Sequence, residues 1–333
     1  SIYNGDVKRG TRTFTTTESY PAGYDIVNVS DADMLNDIFT NPANYIQDNG
    51  GNVVLVFANG STTDYMGESM ELTIPADFKS VIFWGESGDT KPVFMPKGLS
   101  MAGSHDLIRF YNLDLQNTSS ANDYIVNFNV EGTVGEILID NCNISKTRGV
   151  VRVQSDGAKG SIGSINIDNC VLTDIGSYGV LQTKVSGFTL NSVSLSNSTV
   201  NTLSAGGVLV TQQNNVHISI DACTFYNCVA TGKSFIDINK MSNVTVDVKN
   251  TIIGQLYSYT AESTIKATSV KGIATTTNLF TTTDCPYNSG YEWGEILSVS
   301  STELFVNPAE GDFHIQSASQ SSVTGAGDPR WNE

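Results

Sequence analysis

The chain has 333 residues, only 16% of them charged, with 34 acidic against 18 basic side chains and a formal charge of -16. So acidic a balance argues against a nucleic-acid partner, which needs Lys and Arg to displace counterions, and disfavours bare polyanions unless cations intervene. The longest apolar runs, such as residues 53–57, are far too short to cross a bilayer, and five cysteines without CxxC spacing beside three histidines do not suggest zinc.

Residues 1–29 look foreign to the rest of the chain. Arg9-Gly10-Thr11-Arg12-Thr13-Phe14 alternates weakly, so this segment reads as an N-terminal arm or the end of an upstream module. Ser30 is a fitting N-cap for a helix within 30–48, with Asp31 and Asp33 near its positive end and Met34, Leu35, Ile38 and Phe39 on one face. An amphipathic helix there would cap a solenoid whose end coil otherwise exposes its core and unpaired backbone.

From Val53 onward the chain repeats itself. Ile137-Leu138-Ile139-Asp140-Asn141-Cys142 returns as Ile165-Asn166-Ile167-Asp168-Asn169-Cys170, each position 28 residues later. Weaker copies begin at Ile108, Val193, Ile218 and Val246. A second column aligns on Val126, Val151, Val180, Val208, Ile236 and Ile265. With the short segment after each Asn, this makes three short strands per coil. They lie too close together for crossover helices, so each must pair with its equivalent one period away. The expected fold is all-β, a single-stranded parallel β-helix of about 8–10 coils, right-handed by strand twist, with a C-terminal capping tail over residues 304–333.

The column after Asp140 reads Asn112, Asn141, Asn169, Asn197, Ala222, Asn250. Asn tolerates the left-handed backbone of a sharp corner, and stacked amides can hydrogen-bond along the axis. This is a structural ladder. The next column, which holds Cys142, Cys170 and Cys223, faces the core. Free stacked thiols are favoured there, and a Cys142–Cys170 disulfide stays open. Asp140 and Asp168 are read as solvated turn acids, with a calcium site between them as the alternative.

These "IDNC" coils with an asparagine ladder and a capping helix resemble the right-handed β-helices of pectate lyases and polygalacturonases. More narrowly, the helix, "LFVNPAEGDFHI" (304–315) and "GDPRW" (327–331) resemble uncharacterised β-helix domains of surface lipoproteins in gut Bacteroidetes, often encoded beside glycan-utilisation systems. That resemblance implies an extracellular or outer-membrane location, lipid-anchored in the precursor, and a fibronectin-III-like module upstream of residue 30. A monomer within a longer chain is expected.

By the same analogy the sheet carrying Val126 to Ile265 would meet sugar. Its outward positions are read as Asn127 and Asn129, Arg152 and Gln154, Leu181 and Thr183, Leu209 and Thr211, Asp237 and Asn239, and Lys266 and Thr268. Arg152 could serve as a lyase base, while Asp237 is the one acid among these positions, with Lys266 as its expected partner. No catalytic motif of the resembled enzymes is present. Binding fits better: Asn127, Asn129, Gln154 and Asn239 offer hydrogen bonds, and Tyr287, Tyr291 and Trp293 offer stacking rings. The alternative for these rings is that they cover the solenoid's end. The favoured reading is a non-catalytic polysaccharide-binding protein without cofactor, calcium remaining possible. A polysaccharide lyase or hydrolase, and a structural or adhesive spacer, are the alternatives.

Overall fold

The computed structural model describes residues 2–4, 7–10, 19–47, 49–68, 71–153, 157–204, 206–238 and 241–332, the first two stretches by backbone alone. Strands one period apart pair in parallel and wind into a β-solenoid of about nine turns. Sheet 1 stacks Asp25–Val29, Asn52–Phe57, Ser80–Gly85, Gly103–Tyr111, Glu131–Asp140, Lys159–Asp168, Phe188–Ser196, His217–Asp221, Thr245–Ile253 and Ala274–Thr281. Sheet 2 follows each asparagine corner, as at Asp114–Gln116, Thr199–Leu203 and Thr224–Ala230. Sheet 3 includes Leu72–Ile74, Leu99–Met101, Tyr124–Asn127, Leu209–Thr211 and Ser234–Asp237. Asn143–Val153 and Val171–Thr183 run through both, with an irregularity between Thr147 and Gly149.

Alternation along each strand sends one residue in two to a continuous apolar interior. In the early coils that interior is a ring stack, with Phe83 parallel to Phe94 and Phe110 at centroid distances of 5.5 and 4.9 Å. The first rung, Asp25–Val29, lies inside the segment expected to be foreign, so the repeat starts before residue 30. The helix Ala32–Thr40 follows the first rung in the chain, before the second, and Asp31, not Ser30, caps it by accepting from the Met34 N–H. Its Leu35, Ile38 and Phe39 are buried, with Phe39 packed against Phe78 and Phe83. The helix thereby covers the core's N-terminal opening.

The asparagine corners take the left-handed backbone that the column implied, with φ between 45° and 54° at Asn112, Asn141, Asn169, Asn197 and Asn250. Asn278 extends the column at φ 51°. The Asn141 side-chain amide donates to Asn112 Oδ1, and that of Asn278 to Asn250 Oδ1. At Asn197 and Asn250 the amide donates instead to Asp168 and Asp221, at 2.8 and 2.9 Å. Carboxylates thus replace amide acceptors around the gap at Ala222, which also holds φ 53°.

The tail does not close the end of the solenoid. It returns along the outside of sheet 2, next to the ladder. Asn278 donates to the Thr324 carbonyl, Gly327 N–H donates to Asn250, and Arg330 reaches Asn169 Oδ1 and the Asn197 carbonyl. Phe305 and Phe313 cluster with Tyr226, Ile252, Phe280 and Leu304 beneath this strap. The far end of the core is closed by the 284–294 excursion, whose Trp293 and Cys285 join the main core.

Candidate functional site

Strand pairing sets which side chains of sheet 3 stand side by side. Val126 pairs Val151, Val151 pairs Leu181, Leu181 pairs Leu209, and Leu209 pairs Ile236. Leu181, Leu209, Thr183 and Thr211, expected outward, therefore point inward, none more than 1% exposed, with the two threonine hydroxyls bonded to each other. Ile236 pairs Thr268, not Ile265. Adjacent pairs such as Val180/Leu181 and Val208/Leu209 are both buried where the chain leaves the corner, so hydrophobicity alone does not select the register. The outward column instead reads Asn127, Arg152, Gln182, Val210, Asp237.

Three expected residues meet here with one that the repeat did not flag. Arg152 Nη1 donates to Asn127 Oδ1 at 2.8 Å, and Asn127 Nδ2 donates to Glu71 Oε1 at 2.7 Å. Asn129 Nδ2 donates to the other Glu71 oxygen. Glu71 lies just before Leu72–Ile74 and reaches across Gly98, where a Cβ would stand 3.2 Å from both Glu71 Oε1 and the Asn127 Cβ. Gly98, at φ 115°, is what allows this approach. Burial raises the Glu71 pKa above the usual carboxylate range, against the lowering effect of the Asn127 and Asn129 hydrogen bonds and the Arg152 charge.

Two tyrosines flank the guanidinium. Arg152 Cζ lies 4.9 Å from the Tyr124 ring centre and 5.6 Å from that of Tyr178, and Arg148 sits over Tyr178 at 4.4 Å. Beside Arg152, Gln182 is 7% exposed and its Oε1 has no hydrogen-bond partner among the described residues. A buried carbonyl without a donor is uncommon in folded proteins.

The other expected residues are placed apart. Gln154 and Asn239 lie outside the described residues. Asp237 is half-buried, and Lys266 pairs in register with Ser234, three residues away from it. The Lys266 ammonium lies 4.6 Å from the Tyr291 ring centre, with Lys271 at 4.7 Å from the same ring. Trp293 is 6% exposed, packs edge-on to Phe235, and donates to the Tyr287 hydroxyl at 2.8 Å. Its ring presents no open platform.

Asp140 and Asp168 are neighbours in register. Asp140 is paired with Arg109 at 2.6 Å, and Asp168 accepts from Ser196 and Asn197. Among the described residues no group of three or more His, Cys, Asp or Glu is placed to hold a metal ion. All five cysteines are buried and free, and Cys142 N–H approaches Cys170 Sγ at 3.4 Å. Desolvation pushes the Cys142 and Cys285 thiols up to about 12, too high for nucleophiles or thiolate ligands at neutral pH.

A family described as a domain of unknown function (DUF5123) matches residues 218–331, the last coils together with the strap. The chain is similar to that family over this stretch, which lies beyond the Glu71–Arg152 cluster. A comparison with curated proteins finds no match.

Proposed function

We propose that this β-solenoid binds polysaccharide at a cell surface, without cleaving it, on the outer side of sheet 3. One observation carries the reading: Asn127 bridges Arg152 to Glu71, fixing a guanidinium, two amides and a carboxylate in one outward cluster beside tyrosine rings. Pre-positioned amides and arginine suit hydroxyl- and carboxylate-bearing sugars, because their own mutual bonds hold them before ligand arrives. The resemblance of the repeat to pectate-lyase-like helices, and of the tail to Bacteroidetes surface lipoprotein domains, supports the glycan class and the surface location.

A second reading is a glycoside hydrolase or lyase at the same cluster. A carboxyl group whose pKa is raised by burial is what a general acid needs, and Glu71 is such a group, with Asp123 close enough to raise it further. Its two amide donors oppose this, because they stabilise the ionised form. One experiment separates the readings. The protein and its Arg152→Gln variant are applied to an array of neutral and acidic polysaccharides, and the supernatants are assayed for reducing ends and unsaturated uronates. Binding that weakens about 10- to 100-fold in the variant, the loss of a charge-assisted hydrogen bond, supports the site. Binding indifferent to Arg152→Gln overturns it, and released product overturns the non-catalytic reading.

A further inference from the structure

A cavity of about 450 Å³ lies within the strap, on the outside of sheet 2. Trp331 and Val323 supply its apolar part, and His314, Gln320, Thr324 and Asn332 its polar part. Its volume is in the range of roughly 300–1,000 Å³ usual for small-molecule sites. None of the residues lining it is Asp, Glu, Lys or Arg, in a chain whose formal charge is -16. A charged ligand would therefore leave water without a counter-charge waiting for it.

The walls are fixed before any ligand arrives. Trp331 donates its Nε1–H to Thr199 Oγ1 at 2.7 Å and packs at steep angles against Phe313 and His314, with centroids 5.6 and 5.3 Å away. The indole thus has its polar edge satisfied, and its ring is held by the strap's own core. His314 Nδ1 lies 2.6 Å from Asp312 Oδ1, so that ring edge donates to the carboxylate and the imidazole is held in place. Hydroxyl, amide and imidazole groups beside a fixed indole match a ligand with many neutral hydroxyls and one apolar C–H face.

We infer that this cavity is a binding site for a short neutral saccharide, distinct from the polysaccharide face of sheet 3. The two sites differ in charge: the sheet 3 cluster carries arginine and glutamate, and the lining of the strap cavity holds no Asp, Glu, Lys or Arg.

Fluorescence reads the cavity directly. Of the three tryptophans, Trp84 and Trp293 are each 6% exposed, whereas Trp331 is half-buried and reachable by quencher. Acrylamide quenching is measured with galactose, mannose, maltotriose, cellotriose, tri-galacturonate and, as an apolar probe, phenol. The expected result is saturable protection by at least one neutral saccharide and none by tri-galacturonate. Gln320→Ala, at an exposed position, should weaken that protection by up to about tenfold, the consequence of one neutral hydrogen bond lost. Arg152→Gln should leave it unchanged, which keeps this site's fate separate from that of sheet 3. Protection by no neutral saccharide, or stronger protection by phenol or tri-galacturonate, overturns the inference. So does protection that survives Gln320→Ala at full strength but is lost in Arg152→Gln.

Discussion

Under the strap, the outward residues of sheet 2 include Thr199, Thr224, Tyr226, Ile252 and Phe280, none more than 8% exposed. The corresponding column of sheet 3 runs Asn127, Arg152, Gln182, Val210 and Asp237. Both sheets line the same apolar interior, so the difference lies wholly in what each meets outside. Sheet 2 carries rings and aliphatic groups there because another part of the chain removes them from water. Sheet 3 carries amides and charges, of which Glu71, Asn127, Asn129 and Arg152 satisfy one another across coils. Substitutions on the two sides should therefore fail differently, in stability under the strap and in binding at the cluster.

The largest effect should come from Phe313→Ala. Phe313 is 1% exposed and packs against Phe305, Tyr226 and Trp331. Truncating such a ring costs about 3–5 kcal/mol. In a solenoid each coil depends chiefly on its neighbours. Hydrogen exchange should therefore speed up first in the strap and the coils after His217, with the Glu71–Arg152 coils protected as before. Uniform loss of protection along the whole chain would contradict this partition.

Asp328→Ala is expected to cost less, about 2–3 kcal/mol in denaturant unfolding. Asp328 is 1% exposed, accepts from Thr199 Oγ1 and the Arg330 N–H, and lies 2.7 Å from Arg330 Nε. Removing it leaves Arg330, which is itself partly solvated, without its buried counter-charge. An unchanged midpoint would show that the strap is held by its rings alone.

On sheet 3 the informative variable is pH. Burial raises the Glu71 pKa in the folded state, so between its unfolded and folded values the native chain binds more protons than the unfolded one. Stability contributed by Glu71 is then present below its unfolded pKa and falls as pH rises through the folded value. Glu71→Gln has no such slope. The stability advantage of wild type over the variant should shrink as pH climbs above about 4.3, where unperturbed glutamate titrates. An advantage that grows with pH would mean that the Asn127 and Asn129 bonds outweigh burial.

Much of this architecture was legible because backbone geometry leaves few residue choices. A left-handed corner once per coil favours Asn, so Asn112 to Asn250 declared the period and the turn together; Asn278 lies one period after Asn250 and was readable by the same spacing. The register of sheet 3 was not legible, because Val180 and Leu181 are equally apolar and only pairing geometry separates them. Glu71 stands just before a short strand, outside the repeated columns, and its partners lie 56 and 58 residues away. Gly98 was the one local hint, since a glycine between coils can mark a close approach. The strap's course did leave a trace: Ile252-Ile253 and Leu279-Phe280 put apolar residues on both faces of a strand, which requires a cover outside. Nothing in "GDPRW" itself indicated a lateral path rather than an end cap.

The gap in the ladder lies at the corner between sheets 1 and 2, beside the strap, and it supports the smallest prediction. Ala222 holds φ 53° between Asn197, whose carbonyl takes Arg330, and Asn250, whose carbonyl takes Gly327. The strap thus runs beside the ladder, past the corner where a short side chain interrupts its asparagines. An L-residue other than Asn or Asp at such a φ costs roughly 1–2 kcal/mol. Glycine would relieve that strain without adding volume beneath the strap, at the expense of a more flexible unfolded chain, so Ala222→Gly should gain about 0.5–1 kcal/mol. Asparagine would relieve the same strain but push an amide toward Asp328 and Arg330. Ala222→Asn should therefore gain less than Ala222→Gly in the full chain, as read from paired unfolding midpoints. If Asn proves the better substitution, the strap leaves room there, and Ala222 is only a lapse in the ladder.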